Sequence, residues 1–184
     1  MSRRKFLGSM LAAGCVALWG GVAHADEYSA RLSGFNVTGG LGAGETGAIL
    51  TNATGRLQLD LDRTSQTATY TLSFSGTTSA VTMAHIHLGK VHVAGGIMVW
   101  LCQTTAKQSP VASTPYCPAT GGSVSGTITA ASIVAIPGQN VTAGNFGELV
   151  AALATKTAYV NVHTVNFPAG EIRGQIKGKE HRDR

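Results

Sequence analysis

The chain has 184 residues with 43% hydrophobic and only 12% charged side chains, a formal net charge of +5 and two tryptophans. That composition excludes a disordered polar chain, which buries too little apolar surface to fold. The charge does not point to nucleic acid: Arg3, Arg4 and Lys5 lie in a leader without acids, so 14 − 3 = 11 basic against 9 acidic residues leaves only +2 behind it.

Residues 1–25 read as a twin-arginine signal peptide, with Ser2-Arg3-Arg4-Lys5-Phe6-Leu7, an apolar run to Trp19 and a small-residue cleavage site at Ala23-His24-Ala25. The apolar run is shorter than the ~20 residues a spanning helix needs, so no membrane span is expected once the signal is removed. Cys15 lacks the leucine that precedes a lipoprotein acylation site, and lipidation there is not expected. The expected location is periplasmic or secreted, with residues 26–184 forming one domain.

The mature segment begins with a weakly alternating stretch, 28–33, expected to be an edge strand, and a glycine-rich loop to Gly47. Residues 55–62 alternate strictly with Leu57, Leu59 and Leu61 on one face, and 67–74 do the same with Tyr70, Leu72 and Phe74. The short polar link Arg63-Thr64-Ser65-Gln66 makes them an antiparallel hairpin. Strands follow at 81–88, at 97–101, where the apolar run is nearly continuous, and at 124–129. Helical period appears only at 145–155, where Phe146, Leu149, Val150 and Leu153 share a face, Asn145 can cap and Glu148 completes a capping-box-like pattern. Strands at 158–164 and 171–176, joined by a turn-forming run through Pro168 and Gly170, make a second hairpin. The fold class is therefore all-β: an antiparallel Greek-key-like β-sandwich or flattened barrel of about 7–8 strands, with one short helix before the penultimate strand.

Cys102 and Cys117 remain after signal removal, and two cysteines in an exported chain are expected to pair, stapling a Pro-, Ser- and Thr-rich loop. They have neither CxxC spacing nor a neighbouring histidine, which argues against a cysteine metal or redox site.

His85 and His87 are two apart on a strand, so their imidazoles project from one face. In 159–164 the odd positions are polar, which puts His163 on the polar face beside Asn161. Three neutral imidazoles suit copper, or zinc as the alternative, and three protein ligands leave an open position. Met83 lies on the same face as the histidine pair and is a candidate thioether ligand or else core filler. His92, in a glycine-flanked turn, is a candidate fourth ligand. The competing reading leaves the histidines metal-free, hydrogen-bonding one another and buried backbone. Asn161 and Glu171 are candidates to orient the ligands from behind. Arg173 is a candidate anion-attracting or catalytic neighbour; Glu171 and Arg173 share a strand face and could instead form an ion pair. No nucleophile with a nearby base and no phosphate-cradling loop stands out.

The ordered motifs Ala84-His85-Ile86-His87-Leu88-Gly89, Tyr159-Val160-Asn161-Val162-His163-Thr164 and Gly170-Glu171-Ile172-Arg173-Gly174-Gln175-Ile176 resemble the CHRD domain, a module first named from chordin and common in exported bacterial proteins. A more distant resemblance is to copper-zinc superoxide dismutases, β-sandwiches holding copper through a His-x-His pair, a late histidine and a nearby arginine. It implies copper at His85, His87 and His163 with Arg173 beside it, and superoxide-dismutase-like redox chemistry or a carrier role. The sequence offers no bridging histidine and no acidic zinc ligand, so a binuclear site is not expected. The alternative is a metal-free extracytoplasmic interaction module with an envelope protein partner.

Overall fold

A computed structural model describes residues 25–39 and 47–179. The leader, Cys15 and the last five residues lie outside the described residues. Among those described, no helix is long and apolar enough to cross a membrane.

Nine strands form one sheet: β1 (Asp26–Ser33), β2 (Thr54–Asp62), β3 (Thr67–Ser75), β4 (Val81–Leu88), β5 (Ile97–Cys102), β6 (Gly122–Ile128), β7 (Ala158–Thr164), β8 (Ile172–Gln175) and the two-residue β9 (Lys177–Gly178). Their order is β5-β4-β7-β8-β1-β2-β3-β6, with β9 beside β1, and every pairing between them is antiparallel. The sheet curls into a nearly closed barrel, the form in which a single sheet can enclose its own apolar face. Its ends, β5 and β6, are drawn together by the Tyr70 hydroxyl of β3, which donates to the Leu101 carbonyl of β5 at 2.6 Å.

The alternating leucines of β2 face inward, all fully buried, against Leu72 of β3, Ile86 of β4, Leu101 of β5, Val160 and Val162 of β7 and Ile172 of β8. The helix α1 (Phe146–Ala154) lies where its period placed it and buries Phe146, Leu149, Ala152 and Leu153. Asn145 caps it, accepting from Gly147 N–H, while Glu148 reaches back to the Asn145 amide and Thr142 N–H. The expected disulfide joins Cys102 to Cys117. One placement differs: residues 28–33 are not an edge strand. β1 sits between β2 and β8, because its Tyr28, Ala30 and Leu32 are core residues and both of its edges find partners.

Candidate metal centre

The period of two that turns Ala84 and Ile86 of β4 into the core turns His85 and His87 outward. In β7 the same alternation sends Val160 and Val162 inward and Tyr159, Asn161 and His163 outward. Register sets the two sets side by side: Met83 lies across from His163, His85 from Asn161 and His87 from Tyr159. An outer barrel face ordinarily meets water, yet here His85 is 0%, His87 7% and His163 6% exposed. Connecting segments cover them, and each is tied down by the side chains it covers. Gly95, in the β4–β5 connection, accepts from His87 Nδ1 at 2.9 Å, and its N–H donates to the Tyr159 hydroxyl at 3.1 Å. Pro168, in the β7–β8 connection, accepts from His163 Nδ1 at 2.8 Å, and Ala169 accepts from the Asn161 amide at 3.0 Å. Only glycine fits at 95, since a Cβ there would come within 1.7 Å of the Leu88 carbonyl oxygen.

These bonds fix the protonation pattern. A carbonyl can only accept, so His87 and His163 carry their proton on Nδ1 and present a lone pair on Nε2. Burial holds all three imidazoles neutral: it pushes His87 and His163 down to about 4, against the partial support of their carbonyl bonds, and His85 well below the ordinary histidine range. His85 Nδ1 lies 3.2 Å from His163 Nε2 and in the metal-free protein donates to it. His85 Nε2, His87 Nε2 and Asn161 Oδ1 are then buried acceptors with no partner, a costly arrangement.

The donor set fits a metal. The three ligand atoms lie within 4.8 Å of one another. Two imidazole nitrogens on one Zn²⁺ at ~2.0–2.1 Å are ~3.3 Å apart at a tetrahedral angle and never more than ~4.1 Å, so the 3.2 Å between His85 Nδ1 and His163 Nε2 suits a common ion once His85 carries its proton on Nε2 instead, while spacings of up to 4.8 Å would have to shorten. Among the described residues these three form the one such cluster.

Beside them opens a cleft of about 620 Å³, lined by His87, His163, Tyr159, Asn161 and Arg173 among others. His87 stacks on Tyr159 at 4.8 Å between ring centroids, nearly parallel at 4°. The Arg173 guanidinium lies 3.4 Å from the centroid of the same ring. Arg173 also donates to Thr38 Oγ1 at 2.6 Å and to the Lys90 and Val93 carbonyls at 3.1 and 2.9 Å. It therefore positions the β4–β5 connection over the histidines and leaves a charge at the cleft.

Met83 is half-buried on the triad's face, opposite His163. His92 is exposed, with a left-handed backbone (φ 63°); it lines a second groove and is not among the three clustered histidines. Arg173's carbonyl bonds to both flanks of His92 hold the turn in place. Glu171 and Arg173 form no ion pair, because each has nearer neutral partners. The buried Glu171 carboxylate accepts from Thr51 Oγ1, Thr78 N–H, Thr78 Oγ1 and Thr164 Oγ1, at 2.8–3.0 Å, and from no histidine. Tyr159, Gly95 and Trp100, whose ring meets His85 edge-on at 4.2 Å, went unmarked in the sequence. The odd-position set 159, 161, 163 carried a signal for Tyr159; nothing local carried one for the other two.

The model of the CHRD domain matches residues 28–176. No curated protein and no solved structure matches the chain.

Proposed function

The chain belongs to the CHRD domain family, and since that membership names no reaction, we propose from the geometry that it is an exported protein binding copper, with zinc as the alternative, through His85, His87 and His163. The observation that carries this is the pair of Nε2 lone pairs on His87 and His163, fixed by backbone carbonyls behind them and aimed into a dry cluster with His85. Carbonyl bonds behind ligating imidazoles orient them and raise their basicity. Copper heads the preference because nitrogen sites favour it over the other divalent first-row metals.

Bound there by His85, His87 and His163, copper would supply one-electron chemistry. The chain's own residues exclude bulk water, hold the rings in place and set an arginine beside the cleft. That arrangement supports superoxide-dismutase-like redox chemistry or metal carriage. The twin-arginine leader supports export to the periplasm, a route that carries folded chains. In the competing reading, a metal-free interaction module, the His85–His163 bond is structural; the partnerless ring nitrogens weigh against it.

Elemental analysis of the protein isolated from its native envelope, beside a His85→Ala/His163→Ala variant, tests the proposal. Near-stoichiometric copper or zinc, lost in the variant, supports it and makes superoxide turnover the next assay. No metal in the native protein and no tight binding on adding Cu²⁺ or Zn²⁺ overturns it.

A further inference from the structure

Away from the triad, the outer face of β1 carries a feature that the metal site does not explain. Arg31 of β1 lies directly across from Arg56 of β2, an arrangement that destabilises a sheet when both side chains are charged. On the other side of β1 the register sets Ser33 against Arg173 and Ser29 against Lys177, which brackets Arg31 between two further cations. With adjacent strands ~4.8 Å apart, the backbones of four cationic residues lie close together, and three of them, Arg31, Arg173 and Lys177, line one groove. The two ion pairs among the described residues, Arg63 with Asp26 and Lys179 with Glu27, involve none of the four.

The patch is also concave. A groove of about 390 Å³ runs between β1, β9 and the β4–β5 connection, lined by Arg31, Arg173, Lys177, Gln175, Asn36 and His92 among others, and among the described residues no carboxylate lines it. Gly174 helps to form it: a Cβ there would sit 2.3 Å from the Arg31 carbonyl oxygen, so only glycine lets β1 and β8 come this close. Arg173 is 3% exposed, and its bonds to Thr38, Lys90 and Val93 occupy three of its five N–H groups. Its charge is met by carbonyl and hydroxyl oxygens, not by an acid. Among the described residues, clustered cations, a groove without carboxylates and the Asn36 amide are complementary to one kind of ligand, the Gln175 amide being committed to the Gly89 and Lys156 carbonyls.

The geometry points to a second binding site, in which Arg31, Lys177 and Arg173 hold a small molecule through an oxyanion, a phosphate, sulfate or carboxylate group. Forked guanidinium donors match such groups in shape as well as charge, and the volume suits one small ligand. This site shares Arg173 with the metal cleft, so the test changes only Arg31 and Lys177, neither of which touches the triad histidines.

The test follows the thermal midpoint and the amide chemical shifts of the purified chain during titration with inorganic phosphate, sulfate or acetate, each at constant ionic strength made up with chloride. At least one anion is expected to saturate, with shifts centred on residues 29–33 and 173–177, and whichever saturates at lowest concentration identifies the group. Arg31→Gln and Lys177→Gln, both at exposed positions that the fold tolerates, should each weaken that anion at least tenfold. Arg31→Gln should also raise the midpoint in anion-free buffer of low ionic strength, by about 1–4 °C, since it removes the repulsion from Arg56. Non-saturating responses that are the same for all three anions, or binding unchanged in both variants, would overturn the proposal.

Discussion

Acidification from pH 7 to pH 5 is expected to destabilise the metal-free protein steeply, and the triad sets the size of the effect. His87 and His163 titrate at about 4 in the folded protein, against 6.5 when exposed. Between those values the unfolded chain takes up protons that the folded chain refuses, so the stability from these groups is complete above pH 6.5, falls as the pH drops, and loses nothing further below about 4. At 1.36 kcal/mol per unit, each histidine contributes roughly 3 kcal/mol over the full window, and His85 shifts in the same direction. Two such groups together approach half or more of the 5–15 kcal/mol that holds a typical domain folded. Ordinary carboxylates titrate near 4, so the interval from pH 6.5 to 5 isolates the imidazoles. The assay is urea unfolding followed by circular dichroism at half-unit pH steps, with and without Zn²⁺. The midpoint should drop through that interval, the slope should diminish in His163→Ala, and Zn²⁺ at 100 times its dissociation constant should restore about 2.7 kcal/mol by mass action. A midpoint flat from pH 7 to 5 would mean that the rings reach water in the folded state, and the dry donor cluster would be refuted.

Other perturbations separate the site from its scaffold. Gly95→Ala drives a methyl into the Leu88 carbonyl and displaces the acceptor behind His87; it should cost about 1–3 kcal/mol and lower metal affinity roughly 10–100-fold, read by competition against a chelator. Glu171→Leu removes the acceptor for four donors on three separate segments. It should cost about 3 kcal/mol in urea unfolding while metal stoichiometry stays unchanged, which would set Glu171 apart as scaffold. Reduction of Cys102–Cys117, which closes a loop over 15 residues of separation, should lower stability by about 3 kcal/mol on the chain-entropy account, again with the metal retained.

Most of the barrel was legible because its strands are half-buried and antiparallel. β2 and β3 alternate without a break, so core and register follow from the positions of the leucines and of Tyr70, Leu72 and Phe74. The triad was legible for the same reason: 85 and 87, and 161 and 163, are each two apart on strands whose other faces are aliphatic. What alternation does not carry is neighbourhood. It gives the face of β1 but not its central position, which depends on β8 and β9, some 140 residues later in the chain. It places Glu171 and Arg173 on one face yet is blind to Thr51, Thr78 and Thr38, the distant partners that draw the two apart. Nor does it reveal that an outer face is dry, since the segments that cover it have no period to read. His92 shows the same limit: a glycine-flanked turn looks free to close over a site, but the carbonyls of Lys90 and Val93 on either side of it are held by Arg173.

The covering segments also bear on what the histidines are for. Each of the two imidazoles with a fixed tautomer divides its work between its nitrogens. The Nδ1–H of His87 fastens Gly95 and that of His163 fastens Pro168, which keeps water away from the outer face of β4 and β7. Those same bonds leave the two Nε2 atoms with nothing to do but accept, inside the enclosure they have closed. A structural role and a ligand role are therefore not rivals at these residues, because one nitrogen's bond to a carbonyl is the cause of the other's lone pair. It follows that a histidine replaced by a residue able to donate to the same carbonyl, as glutamine at position 87 could, would restore more of the fold than of the metal affinity. Alanine at the same position would lose both.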